Sequence, residues 1–173
     1  CGKINFSEKK GEDCVAKNVD KILLQIREKY KKYDVQEEPF VIVKADAGTY
    51  GMGVMTVKSG EEVRKFNRKQ RNKMSVVKEG QPVTKVLVQE GVYTFESINA
   101  AVAEPVIYMI DRYVVGGFYR VHTGRGNDEN LNAPGMHFVP LSFEPSCLLP
   151  VNKTSRDYDA NRFYAYSVIA RLA

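Results

Sequence analysis

Long apolar runs are missing from this sequence, and so are the cysteine and histidine patterns of stapled or metal-bound domains. No stretch approaches the roughly 20 apolar residues that cross a bilayer. The N-terminal CGKINFSEKK lacks the apolar core of a signal peptide, so a cytoplasmic protein is expected. Cys1, Cys14 and Cys147 are odd in number and form no CxxC pair, which argues against a disulfide framework and a zinc site alike. Reduced thiols are the expectation. His122 and His137 have no ligand spacing, and each reads as a surface or core residue with no metal role. There is no internal repeat and no low-complexity tract.

What is present is an ordinary globular composition: 173 residues, 43% hydrophobic and 27% charged, which suits one well-buried core and speaks against disorder. A single domain over residues 1–173 is the default. The charge of +5, from 26 basic and 21 acidic residues, suits a nucleic-acid partner or equally a protein that handles a polyanionic nucleotide and acidic small molecules. The chain starts at Cys1 without an initiator Met and stops inside the apolar, helix-like FYAYSVIARLA, so it reads as a fragment of a longer protein.

Apolar residues at Val15, Val19, Ile22, Leu23, Ile26 and Tyr30 make a 3.6-residue stripe, which predicts an amphipathic helix over 12–33. Pro39 ends the pattern, and Phe40-Val41-Ile42-Val43 reads as a buried strand that delivers Lys44. Val54 to Val57 reads as a returning strand. Ser59-Gly-Glu-Glu62 is a capping box opening a helix to about Lys69. Val83 to Gln89 alternates like a strand and enters Glu90-Gly91-Val92. Val106 to Ile110 and Tyr113 to Val121 form a hairpin about Asp111-Arg112, followed by a polar loop over 123–135 and a final helix bearing Phe163, Tyr166, Ser167, Ile169 and Ala170. Strands and helices in this order indicate an α+β architecture.

Chemistry concentrates first in VIVKADAGTYGMGVMTV. Gly48, Gly51 and Gly53 lie between two strands, where backbone N–H groups can close on phosphate oxygens because no Cβ blocks the approach. No Gly-Lys-Ser/Thr follows, which excludes a Walker A loop, and no helix follows, which excludes a dinucleotide fingerprint. Lys44 can reach a phosphate or the adenine edge as a point charge. An ordinary glycine-rich hairpin with a surface lysine is the competing reading. The second segment, Val86-Leu-Val-Gln89-Glu90-Gly-Val92, can offer backbone groups to an adenine edge and an acidic side chain to ribose or the exocyclic amine. A strand lysine, a glycine-rich flap and a Gln-Glu hinge in this order resemble the ATP-grasp enzymes.

In the third segment a hairpin strand ends in Arg120 and a polar loop leads to Asn130-Leu-Asn132-Ala-Pro-Gly135, which is similar to the corresponding region of bacterial glutathione synthetases. Arginine there can clamp a transferring phosphoryl group, and asparagines can bind metal or orient substrate. A plain salt bridge on an exposed strand would explain Arg120 equally. VIVKADAGTYGMGVMTV, RNKMSVVKEGQPV, VIYMIDRYVVGGFYRVH and NLNAPGMHFVPL together resemble the proteobacterial glutamate–cysteine ligases nearly end to end.

That resemblance implies an ATP-grasp-like fold and an ATP- and Mg²⁺-dependent joining of the γ-carboxylate of glutamate to the amine of cysteine, in glutathione biosynthesis. It assigns Lys44, Gly48, Gly51 and Gly53 to the triphosphate, Gln89, Glu90 and Val92 to the adenine, and Arg120, Asn130 and Asn132 to the reaction centre. The family's metal pattern, an acid and then a strand-borne Glu-x-Asn, has no clean counterpart. Asp128-Glu129-Asn130 comes nearest, with Asp111 or Glu104 as the outside acid; a solvated acidic loop is the alternative. The basic run from Arg64 to Lys73 holds only one aromatic, Phe66, and reads as a solvated helix face before a nucleic-acid site. Two other functions stay open: a different ATP-grasp carboxylate–amine ligase, and a non-catalytic nucleotide- or nucleic-acid-binding domain.

Overall fold

The computed structural model describes residues 3–46, 52–75, 80–141 and 162–173, which fall into two compact units. One comprises Cys1–Tyr93 with Asp128–Asn130, the other Thr94–Asn127 with Leu131–Ala173. Each is an antiparallel sheet with flanking helix, so the chain adopts the α+β architecture that an ATP-grasp-like protein requires. Among the described residues no helix is long and apolar enough to cross a membrane.

In the first unit helix α1 spans Glu12–Lys32, with Glu12 and Asp13 at its N-terminal end and Lys29, Lys31 and Lys32 in its last turn, each matched to the sign of the helix dipole there. The stripe read from sequence is the face that packs: Val15, Ala16, Val19, Leu23 and Ile26 are buried. They meet a three-stranded sheet in the order β2-β1-β3, built from β1 (Val41–Ala45), β2 (Val54–Val57) and β3 (Val86–Glu90). Val41, Val43 and Val57 face α1, and Phe6, Val63, Phe66 and Met74 complete the core. Each such side chain contributes roughly 1.5–3 kcal/mol of burial.

The capping box holds, with Glu62 N–H donating to Ser59 Oγ at 3.3 Å. The helix it opens is short, however. Helix α2 (Gly60–Arg64) stops, and α3 (Arg68–Ser75) starts afresh. Asn67 and Gln70 cap each other reciprocally, Gln70 N–H to Asn67 Oδ1 and Asn67 N–H to Gln70 Oε1, both at 2.9 Å, while Phe66 in the break turns into the core. The cysteine expectation also needs correcting: Cys14 is disulfide-bonded, its partner lying outside the described residues. An odd count with no CxxC excludes a framework of pairs and leaves a single pair open.

The second unit is a four-stranded sheet in sequence order: β4 (Ser97–Ile98), β5 (Ala101–Ile110), β6 (Tyr113–His122) and β7 (His137–Pro140). Its core is smaller, with Ala101, Ala103, Tyr119, Val121 and Leu141 buried and Phe163 and Tyr166 of helix α4 (Arg162–Leu172) set against them. No residue of α4 is itself fully buried. Polar contacts hold it: Arg162 pairs with Glu96 at 2.8 Å, and the Tyr166 hydroxyl donates to the same carboxylate.

Candidate functional site

Alternation along β1 decides where Lys44 points. Val41, Val43 and Ala45 are buried, so Ile42 and Lys44 occupy the opposite face, which α1 leaves uncovered. Lys44 lies between Val54 of β2 and Leu87 of β3, and Ile42 lies between Thr56 and Gln89. Directly paired residues share a face, so Lys44, Gln89 and Thr56 stand together on the open side of the sheet. Lys44 is half-buried, which sets it apart from a freely solvated surface lysine. Beyond it Ala45 N–H donates to the Gly53 carbonyl at 2.8 Å, closing the hairpin that contains the glycine-rich stretch. Gly53 is buried with φ 63, a value that L side chains rarely adopt. Gly48 and Gly51 lie outside the described residues.

The hinge is divided by the same alternation. Gln89 is on the Lys44 face, whereas Glu90 pairs with Val41 on the α1 side and forms an ion pair with Lys29 at 3.1 Å. The side chains of Gln89 and Glu90 are therefore not brought together. The Glu90 backbone is placed differently. Gly91 N–H donates to the Phe40 carbonyl at 2.9 Å, and amide direction alternates along an antiparallel ladder, so Leu87 and Gln89 bond toward β1 while Val88 and Glu90 point away. Since β3 is the edge strand, the Glu90 carbonyl and the exposed Val92 present backbone groups to whatever planar edge lies beside them.

Asp128–Asn130 belong to this first unit. Thr56 Oγ1 donates to the Asp128 carbonyl at 3.2 Å, and Lys58 sits 3.6 Å from the Asp128 carboxylate and 3.4 Å from Glu38. The hydrogen bond to Glu38, with both carboxylates nearby, raises the Lys58 ammonium above its ordinary pKa. Glu129 and Asn130 thus come to the same unit as Lys44 and Gln89. Thr56 and Lys58, which hold this segment, were not singled out from sequence; their alternation with Val57 is the signal that could have found them.

In the second unit Arg120 pairs across the strands with Glu104, on the face away from α4, and the two form an ion pair. Both are half-buried, and the Arg120 Nε is buried with no hydrogen-bond partner, so one edge of its fork is unspent. Asp111 is elsewhere. It occupies the exposed tip of the β5–β6 hairpin at φ 53, seven residues along the strand from Glu104, or roughly 23 Å at about 3.3 Å per residue. The structure does not bring Asp111 to Arg120; the acid beside Arg120 is Glu104. Asn132 lies in this unit, next to the completely buried Leu131. His122 is buried two residues past Arg120, with Nε2 3.0 Å from the Pro134 carbonyl and Nδ1 accepting from Gly124 N–H at 3.1 Å.

Chemically, the first unit offers a cation, a glycine-closed hairpin and outward amides, an arrangement that fits a triphosphate and a purine edge. The second offers a half-buried guanidinium paired with Glu104, a group able to neutralise charge that develops on a transferred group. Among the described residues no three His, Cys, Asp or Glu side chains form a metal site. A divalent ion here would have to bring anionic oxygens with it, as Mg²⁺ carried on a triphosphate does, leaving one or two ligands to the protein.

The glutamate-cysteine ligase family model, GshA, matches residues 1–173. A solved structure whose name assigns it as a gamma-glutamylcysteine synthetase, from Methylobacillus flagellatus KT, is 65% identical in sequence and superposes with a TM-score of 0.76. That match covers 99% of this chain and 41% of the other, so this chain spans about two-fifths of that relative's length. No curated protein matches it.

Proposed function

The chain belongs to the glutamate-cysteine ligase family, and from that membership we propose that residues 1–173 are an ATP-grasp-like nucleotide-binding and catalytic region. The reaction is an ATP-dependent joining of glutamate, through its γ-carboxylate, to the amine of cysteine. A carboxylate is a poor electrophile. In this reading a γ-carboxylate oxygen attacks the terminal phosphorus of ATP, ADP leaves, and an acyl phosphate results. The cysteine amine then attacks the acyl carbon, phosphate departs, and the amine proton is lost to give the amide.

The protein's part is positioning and charge neutralisation. Lys44 and the backbone at Gly48, Gly51 and Gly53 hold the phosphates. Gln89 lies on the same open face, and the backbone at Glu90 and Val92 takes the adenine edge. Arg120, paired with Glu104, meets charge on the transferred group, and Asn130 and Asn132 orient substrate. Glu129 and Asn130 would hold Mg²⁺, which if bound would supply neutralisation of phosphate charge. The observation that carries this reading is the half-buried Lys44 on the uncovered sheet face beside Gln89.

The test is phosphate release by the full-length enzyme with ATP and Mg²⁺. Release that requires both glutamate and cysteine supports the ligase; release with another acid or amine points to a different carboxylate–amine ligase; nucleotide binding without release points to a binding module. In calorimetric titration Lys44→Ala should weaken ATP by on the order of 1.5–3 kcal/mol, the scale of a charge-assisted hydrogen bond. Equal affinity for both proteins removes Lys44 from the site.

A further inference from the structure

His122 ends β6 and opens the polar loop that carries Asn132, and its two ring nitrogens do opposite things. Nδ1 accepts from the Gly124 amide at 3.1 Å, two residues on, so it carries no proton. Nε2 must then carry one and donate to the Pro134 carbonyl at 3.0 Å, at the far end of the loop. The ring also fills the space between the loop's ends: a Cβ on Gly124 would lie 3.6 Å from His122 Cε1, and one on Gly135 3.5 Å from it. Gly135 takes φ 96, where a side chain would be strained, and a Cβ there would lie in ordinary contact with the imidazole. Leu131, completely buried, and the Thr94 N–H to Asn127 carbonyl bond at 2.8 Å pin the loop between these ends.

We propose that His122 is a positioning residue: as the neutral Nε2-protonated imidazole it clasps Gly124 to Pro134 and so fixes the loop that presents Asn132. Part of this rests on the ligase reading, because the value of a fixed Asn132 lies in orienting substrate, whereas the clasp itself does not. A loop closed at both ends has little left to lose in ordering when substrate arrives. His122 touches no substrate in this account. It acts through the backbone at Gly124 and Pro134.

The test uses the full-length enzyme and three variants. His122→Phe keeps the ring and loses both bonds; His122→Asn keeps an acceptor near the Nδ1 position; His122→Gln keeps a donor near the Nε2 position. His122→Phe should lower kcat on the order of tenfold to a hundredfold, the cost of a misplaced orienting group, with the KM for ATP changed less than about threefold. The Asn and Gln variants should fall between it and wild type. Amide exchange over residues 123–135 should be faster in His122→Phe and partly restored in the other two, and nitrogen NMR of the wild type should show a protonated Nε2 and a bare Nδ1. Unchanged exchange in His122→Phe, a proton on Nδ1, or equal loss of kcat and thermal stability in all three variants overturns the proposal. If the wild type releases no phosphate with glutamate and cysteine, the ligase reading fails, and exchange and NMR alone decide the clasp.

Discussion

The two sheets are built on the same plan and held together by different means. In the first unit α1 covers one face of the sheet with valine, leucine and isoleucine, and phenylalanine and methionine close the ends of the core. In the second the core residues on the strands are mostly alanine, valine and tyrosine, and α4 is attached through Glu96 by an arginine and a tyrosine. Apolar burial therefore dominates the first, and satisfied polar pairs carry more of the second. The difference extends to function: the first unit's sheet face away from α1 shows a half-buried lysine beside Gln89 and Thr56, whereas the second shows Arg120 already engaged by Glu104. A steric insult should damage the first unit most, and loss of one charge the second.

The largest effect is expected at Gly91, in the hinge. A Cβ there would fall 2.0 Å from Cε2 of Phe40, a ring that is 1% exposed and stacked edge-on against Tyr93 at 4.9 Å between centroids. Overpacking of that kind costs about 2–3 kcal/mol. Gly116 in the second unit is the control, because a Cβ there meets nothing within 4 Å. Denaturant unfolding should show Gly91→Ala strongly destabilised and Gly116→Ala close to wild type. If the two shift alike, the first unit is no more tightly packed than the second.

A smaller effect is expected from Glu96→Gln, which keeps an acceptor for Tyr166 and removes the charge facing Arg162. Burial first, and then the bond to Glu96, hold the Tyr166 hydroxyl well above its usual pKa, so it remains a donor at neutral pH. Hydrogen bonds to charged groups contribute more than neutral ones, but Arg162 is 49% exposed and solvent screens the pair, which leaves about 1 kcal/mol. Amide exchange in α4 should accelerate roughly fivefold while α1 stays unchanged. An α4 as protected as before would mean that Phe163, and not the polar pair, anchors the helix.

Much of this was legible from sequence wherever one period dominates. The 3.6-residue stripe found α1 to within a residue at each end, and the glycine-rich hairpin with Lys44 at its base stands where expected. The break between α2 and α3 was missed although Asn67 and Gln70 spell a reciprocal cap. The start of β5 was set too late because Pro105 reads as a strand breaker. β4 pairs with β5 only as far as Val102, so Pro105 sits where one edge is open and its missing N–H costs nothing. β7, which ends in Pro140 on an edge strand, was not assigned from sequence. Within the site, alternation alone should have separated Gln89 from Glu90. His122 was passed over because a lone histidine carries no spacing signal; what gives it a role is the return of Pro134, which only the fold supplies.

The smallest effect belongs to Glu12, the first residue of α1. Its carboxylate is buried, with Oε1 lacking any hydrogen-bond partner. Burial raises its pKa, with Arg71 and Lys9 pulling it back and Asp13 adding to the rise, so desolvation outweighs the favourable end of the helix dipole. A carboxyl whose pKa is higher in the folded state binds its proton more tightly there. Stability is then greatest below the unfolded value, falls as pH rises through the window up to the folded value, and stays level above it. Glu12→Gln cannot ionise and escapes that loss. Unfolding measured from pH 4 to pH 7 should show the variant gaining on wild type as pH rises and levelling off above the folded value. A difference that is flat with pH, or that moves toward wild type, would mean that the cations around Glu12 win over its burial, and that even the apolar unit relies on a charge at the start of its helix.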